Sequence, residues 1–156
     1  ALTGHLVLST LHTNDAPATV NRMIDMGLEP FLVASSTNLI MAQRLVRRIC
    51  KNCKTEEQVT PEALAEIGLP ADCKPMTGKG CEQCGGTGYK GRQGLYEVMP
   101  ITPALRELIL DRASTSELRK QAQGEGMLTL RQDGLLKIQK GVTTIEECLR
   151  ETTVQD

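Results

Sequence analysis

Aromatic residues are nearly absent: the 156 residues contain no tryptophan, one phenylalanine and two tyrosines. Any core must therefore be aliphatic, and 40% hydrophobic residues are enough for one compact domain or two small ones. An excess of one charge is missing too. Eighteen Lys and Arg against 19 Asp and Glu leave a net charge of −1, which argues against a nucleic-acid surface, since such surfaces need a basic excess. No apolar run reaches the ~20 residues of a membrane span, and no signal peptide, internal repeat or low-complexity segment is visible. The sequence opens at Ala1 without an initiator Met, directly on a strand-like run, so we expect a piece of something longer.

What is present is cysteine in a telling arrangement. Cys50-x-x-Cys53 and Cys81-x-x-Cys84 form two pairs separated by 27 residues. Each pair places two thiolates on one side of a tight turn, and two facing turns complete the tetrahedron of sulfurs that a structural Zn²⁺ prefers. A closed shell of four cysteines argues against catalysis at the metal. Gly85, Gly86 and Gly88 follow the second pair, where the lack of a Cβ lets backbone N–H groups approach the sulfurs. The gap exceeds that of a simple zinc ribbon, so a small insertion is expected between the knuckles. Six cysteines with four in metal spacing suggest a reducing setting, and Cys73 and Cys148 read as free thiols without a special role.

The remaining pattern is mixed α/β. The run from His5 to Leu11 suits a strand buried on both faces. Asn14 or Asp15 can cap a helix with Pro17 in its first turn, its apolar face formed by Val20, Met23 and Ile24 and its end set by Gly27. A longer helix is expected from about Pro30 to Ile49, with Arg44, Arg47 and Arg48 in its last turn, where the dipole favours cations. Thr60-Pro61 starts a short helix through Ile67, stopped by Gly68. Gly94–Met99 reads as a strand. Thr102-Pro103 starts another helix, and Ser114-x-x-Glu117, Thr129-x-x-Gln132 and Thr143-x-x-Glu146 match the capping box, predicting a small C-terminal helical bundle.

Candidate chemistry is sparse. The only histidines are His5 and His12. Seven residues apart on a regular strand, they point to opposite faces about 23 Å from one another. His12 lies where the strand ends in a polar loop, beside Thr10, Thr13 and Asn14, and in open α/β sheets that carboxyl edge is where ligands bind. Glu56-Glu57 and Glu146-Glu147 read as solvated faces and caps. Thr77-Gly78-Lys79-Gly80 is not a phosphate loop, because Gly-x-x-x-x-Gly-Lys-Ser/Thr occurs nowhere in the chain. Lys79 reads as part of the zinc turn.

Leu2 to Ala16, with Leu8-Ser9-Thr10-Leu11-His12-Thr13-Asn14-Asp15-Ala16 at its centre, resembles the histidine box of the hexameric motor ATPases of type II secretion and type IV pili. The likeness continues through Gly27–Ser36, Ala42–Cys50, both cysteine pairs and Gly91–Glu97, so it covers almost the whole chain. The Thr13–Thr19 run is more similar to the pilus-extension branch than to the secretion branch. The retraction branch lacks the four-cysteine insertion.

The resemblance implies the C-terminal half of a RecA-like P-loop ATPase domain: core elements over residues 1–49, a tetracysteine zinc module over 50–89, and a return strand with a helical subdomain over 90–156. The Walker A, Walker B and acidic boxes of such domains would lie upstream, so the piece alone would not hydrolyse ATP. By the same likeness His12 would sense or polarise the γ-phosphate, His5 would support it, and Thr10 and Thr13 would lie at the ATP and Mg²⁺ site. The family's arginine fingers come from a separate domain, so Arg44, Arg47 and Arg48 keep the simpler role of capping a helix or meeting a neighbouring subunit. Also implied are a homo-hexamer, a place at the cytoplasmic face of the inner membrane, reached only through partners, and contact with an inner-membrane platform protein. Two other readings compete. Cys81–Gly88 resembles one CxxCxGxG repeat of DnaJ-type zinc modules, which carry four. A redox dithiol would have a single CxxC at a strand–helix junction.

Overall fold

A computed structural model describes residues 1–153. Contacts divide the chain into two units, one formed by residues 1–43 with 96–129, the other by 44–95 with the described residues from 130 onward.

In the first unit, Asp15 starts helix α1 (Ala16–Asp25) by accepting the Ala18 N–H with its side chain, and Pro17 sits in the first turn. Gly27, at φ +99°, follows the helix end in the left-handed region that disfavours a Cβ. Pro30 opens α2 (Pro30–Ser36). Thr102 caps α4 (Pro103–Leu110), and Ser114 with Glu117 forms a reciprocal capping box on α5 (Thr115–Gly124). These helices enclose an aliphatic core around Val20, Val33, Met99, Leu105, Ile109 and Leu118. The Arg106 guanidinium closes it from the edge by donating to the Ala34 carbonyl.

The second unit holds the cysteine turns. Strand β2 (Lys54–Glu56) pairs antiparallel with β3 (Met76–Gly78), Thr55 opposite Thr77. Between them lies α3 (Pro61–Ile67), capped by Thr60 and ended by Gly68 in the left-handed region, which is the insertion that the long cysteine gap requires. Helices α6 (Leu130–Gln139) and α7 (Ile145–Glu151) follow. Leu64, Leu69, Ile138, Ile145 and Cys148 form the core of this unit. Gly134 is required there: a Cβ would run into the Cys148 sulfur and press on Leu95.

Three expectations are corrected. Residues 39–49 are not the second half of a helix but strand β1 (Leu39–Ile49), which forms a two-stranded sheet with β4 (Tyr89–Pro100). Burial alternates along it, with Ile40 and Val46 buried and Leu39, Met41 and Leu45 exposed, so the apolar stripe has period two rather than 3.6. Thr37-Asn38 is the break that separates α2 from it, and Thr37 is already extended. Arg44, Arg47 and Arg48 therefore sit on a strand, with no helix end to cap.

The second correction concerns His5 to Leu11. Among the described residues this run pairs with no strand and is exposed throughout; Leu6 and Leu8 retain 83% and 87% of their surface. A strand apolar on both faces is stable only between neighbours, and none lies beside it among the described residues. The last helix cap is also displaced by one residue. Thr144 caps α7, while Thr143 donates its hydroxyl to the Arg47 carbonyl at 2.9 Å.

Candidate metal centre and the histidine segment

The two CxxC turns face one another. The sulfurs of Cys50, Cys53, Cys81 and Cys84 all lie within 4.8 Å of one another. Cys50–Cys81 is 3.8 Å, Cys53–Cys84 3.9 Å and Cys81–Cys84 3.7 Å. Four sulfurs held at ~2.3 Å from one tetrahedral ion stand about 3.8 Å apart, so the cluster fits a single ion of that size. All six cysteines are free.

Backbone geometry aims N–H groups at two of the four sulfurs. The N–H groups of Cys81 and Gly88 donate to the Cys84 sulfur at 3.2 Å each, and the Gly80 N–H to Cys53 at 3.4 Å. Desolvation raises the Cys84 thiol, but those N–H groups and the neighbouring thiols outweigh it and bring its pKa down to about 6. Cys81 is also lowered, chiefly by a hydrogen bond from Asn52. Cys53 moves the other way, to about 11, through desolvation. One member of the set is thus poised to ionise near neutrality, and metal binding would draw the proton from the rest. The turns approach so closely that a Cβ on Gly78 would overlap the Gly88 backbone. The glycines therefore serve close packing as well as N–H approach. Lys79 belongs to the same turn, its N–H donating to the Cys53 carbonyl at 3.2 Å.

Cys50 also lines a cleft of about 340 Å³ with Arg48, Lys51 and Lys90 and with the amides of Asn52 and Gln83. Four thiolates around a divalent cation leave a net charge of −2, and cations close by offset it.

A buried ion pair ties the start of the cysteine turns to α7. Glu147, 1% exposed, accepts hydrogen bonds from the Arg47 backbone N–H at 2.6 Å, from its Nε at 3.0 Å and from its Nη2 at 3.2 Å. Arg150 pairs with the same carboxylate. The Arg47 guanidinium lies 4.0 Å from the centre of the Tyr89 ring, and the Tyr89 hydroxyl meets that of Thr144 at 2.8 Å. Glu147 is thus not the solvated carboxylate that its Glu-Glu neighbourhood suggests. A signal was present: with Thr144 as the cap, Glu147 stands at the third helical position, facing inward.

The histidine segment is less organised. His5, Thr10 and His12 are exposed and Thr13 is half-buried. The Thr3 hydroxyl meets His5 Nδ1 at 3.0 Å and the Thr13 hydroxyl meets that of Thr19 at 2.7 Å. Among the described residues no hydrogen bond joins the two histidines. The structure therefore assembles the four cysteines, and it anchors only the Thr13 end of the histidine segment.

Comparison with known proteins decides the family. The Type II/IV secretion system protein family matches residues 1–150. The chain belongs to that family. Among its relatives, the type IV pilus assembly ATPase PilB of Myxococcus xanthus is 52% identical over 97% of this chain. PilB of Thermus thermophilus is 45% identical over 97%. Type II secretion system protein E of Pseudomonas aeruginosa is 43% identical over 97%. The chain spans 28%, 18% and 30% of the length of these three relatives. No helix among the described residues is long and apolar enough to cross a membrane.

Proposed function

We propose that this chain is the C-terminal half of a RecA-like P-loop ATPase domain, in a hexameric motor that hydrolyses ATP to power type IV pilus assembly. The observation that carries the reading is the 52% identity to a pilus assembly ATPase over nearly the whole chain. The parts are the core elements of residues 1–49, the zinc module of 50–89, and the strand and helical subdomain of 90–156, whose last three residues lie outside the described ones.

In this reading the upstream part of the domain binds ATP and Mg²⁺. His12 meets the γ-phosphate, with His5, Thr10 and Thr13 around it. The bare apolar surface of Leu6, Val7 and Leu8 supports the reading, because a strand that lies between neighbours in a complete sheet is left uncovered when they are absent. The four cysteines hold a structural Zn²⁺, which stiffens a module too small to hold itself by a core. The motor works at the cytoplasmic face of the inner membrane, and the zinc module offers a contact for the platform protein.

The test is kinetic. In the full-length protein, His12→Ala should lower kcat for ATP at least ~100-fold, the scale for loss of one group that stabilises transition-state charge, while metal content stays at one ion per chain. Unchanged hydrolysis would remove His12 from the site.

A second reading, a type II secretion motor, is supported by 45% identity to the secretion protein HxcR of Pseudomonas aeruginosa. Exchanging residues 1–150 into the Myxococcus pilus ATPase and into the Pseudomonas secretion protein separates the two. Restored piliation alone supports the first reading, and restored exoprotein secretion alone supports the second.

A further inference from the structure

A group of buried charges surrounds the first turn of α1, directly after His12 and Thr13, and the chemistry proposed above does not use it. Asp15 is 3% exposed and Glu97 1%, two carboxylates at the edge of an otherwise aliphatic core. Burial of a carboxylate is costly unless its oxygens are engaged. Asp15 Oδ1 accepts the Ala18 N–H at 2.8 Å, and its Oδ2 faces Arg119 Nη2 at 3.4 Å. The Asp15 carbonyl accepts the Thr19 hydroxyl at 3.0 Å, which in turn meets the Thr13 hydroxyl at 2.7 Å. Glu97, arriving on β4, accepts the Ala16 N–H with Oε1 at 3.2 Å.

Capping a helix does not need this apparatus. Helices α3, α4, α5 and α7 are capped by the hydroxyls of Thr60, Thr102, Ser114 and Thr144, without an arginine facing the capping group. Of these five helices α1 alone, the helix that follows the histidine segment, has a carboxylate cap, a second buried carboxylate on its first N–H and an arginine facing the cap, among the described residues. The Arg119–Asp15 contact is long, and Arg119 Nε is buried with no hydrogen-bond partner. A small shift of Asp15 would convert one contact into the two parallel bonds that guanidinium and carboxylate favour. The turn therefore has a tighter arrangement within reach.

We propose that Asp15, Glu97 and Arg119 are positioning residues for the nucleotide site: they fix the turn that carries Thr13, and through it set His12 against the γ-phosphate. The inference rests on the function proposed above. A group displaced by ~1 Å can cost about 100-fold in rate, whereas nucleotide affinity would be set largely upstream, so the effect should fall on kcat rather than KM.

Asp15→Asn and Arg119→Met in the full-length protein provide the test. Asn caps a helix as well as Asp does, so Asp15→Asn retains the cap and removes the charge that faces Arg119. Each variant should lower kcat at least about tenfold with KM for ATP within about threefold. The double variant should be no worse than either single one, as expected when both act through one contact. A merely structural role would instead lower the melting temperature, give additive losses, and return full kcat at a temperature where the variant is folded. That result, or kcat within about twofold of the parent in Asp15→Asn, overturns the proposal. If Arg119→Met fails to fold, Asp15→Asn alone decides. His12→Ala separates the two levels. If it leaves kcat unchanged, the site reading fails; if it is inactive while Asp15→Asn is fully active, only the positioning role fails.

Discussion

The cysteine turns and the histidine segment are both short and rich in motif, yet they end in opposite conditions. The turns bring four sulfurs within 4.8 Å of one another and aim backbone N–H groups at them. Among the described residues the segment from His5 to His12 makes no ladder, and it leaves Leu6 and Leu8 bare. The difference is where the partners come from. A CxxC turn contains half of its own site, and the other half is supplied by a second turn of the same kind in the same unit. A strand apolar on both faces contains none of what it needs. Its backbone groups and both of its faces must be met by other strands and helices.

The largest effect should come from breaking the self-contained region. Cys81→Ser with Cys84→Ser removes half of the ligands, and since the binding energy of a structural zinc is of order 10 kcal/mol, the module should unfold. Metal analysis should fall from one ion per chain to none, with loss of hydrogen-exchange protection across β2 and β3. Retained protection would show that the turns fold without an ion. If a strain carrying this change assembled pili normally, the module would not be the platform contact.

The next effect tests the clasp between the turns and α7. Glu147→Ala deletes three charge-assisted hydrogen bonds from Arg47, and because that arginine is 41% exposed the cost should stop at about 2–3 kcal/mol. Acid should mimic the mutation. Desolvation alone would raise the Glu147 carboxyl, but hydrogen bonds from Arg47 hold it below the ordinary 4.5. Its stabilising share is complete above that pH and is lost as pH falls through the lowered value. Urea titrations at pH 7 and at pH 3 should differ less for Glu147→Ala than for the parent.

The smallest effect belongs to the dependent region. Leu8→Ala should change the stability of the 156-residue chain by less than ~0.5 kcal/mol, as expected of an exposed site. In the longer protein, where the proposed sheet covers Leu8, the same change should cost ~2 kcal/mol or more. Equal values in both settings would sink the reading of His5–Leu11 as a core strand.

Legibility followed the same division. Thr60, Thr102 and Ser114 were readable as helix starts, and Asp15 as one of two candidates beside Asn14, because a cap is chemistry between residues two or three apart. The cysteine site was readable because two like turns have one economical way to meet. Residues 39–49 were misread, since Leu39, Ala42, Leu45, Val46 and Ile49 also satisfy a helical stripe, and only pairing with β4 selects the period of two. Glu147 was misread because its partner, Arg47, is 100 residues away, and a register error of one residue at Thr143 concealed its inward position. Glu97 and Arg119 carry no local signal; their meaning depends on the chain bringing them to the first turn of α1.

The amino-acid order by itself determined the family, the four clustered sulfurs and most helix starts, because each rests on short-range spacing or on a chain-long likeness. The tertiary structure alone decided that residues 39–49 pair as a strand and that Glu147 grips Arg47. It alone placed Asp15, Glu97 and Arg119 in one buried cluster beside the histidine segment. Those outcomes depend on which distant residues exclude water from one another, and that selection exists only once the chain has packed.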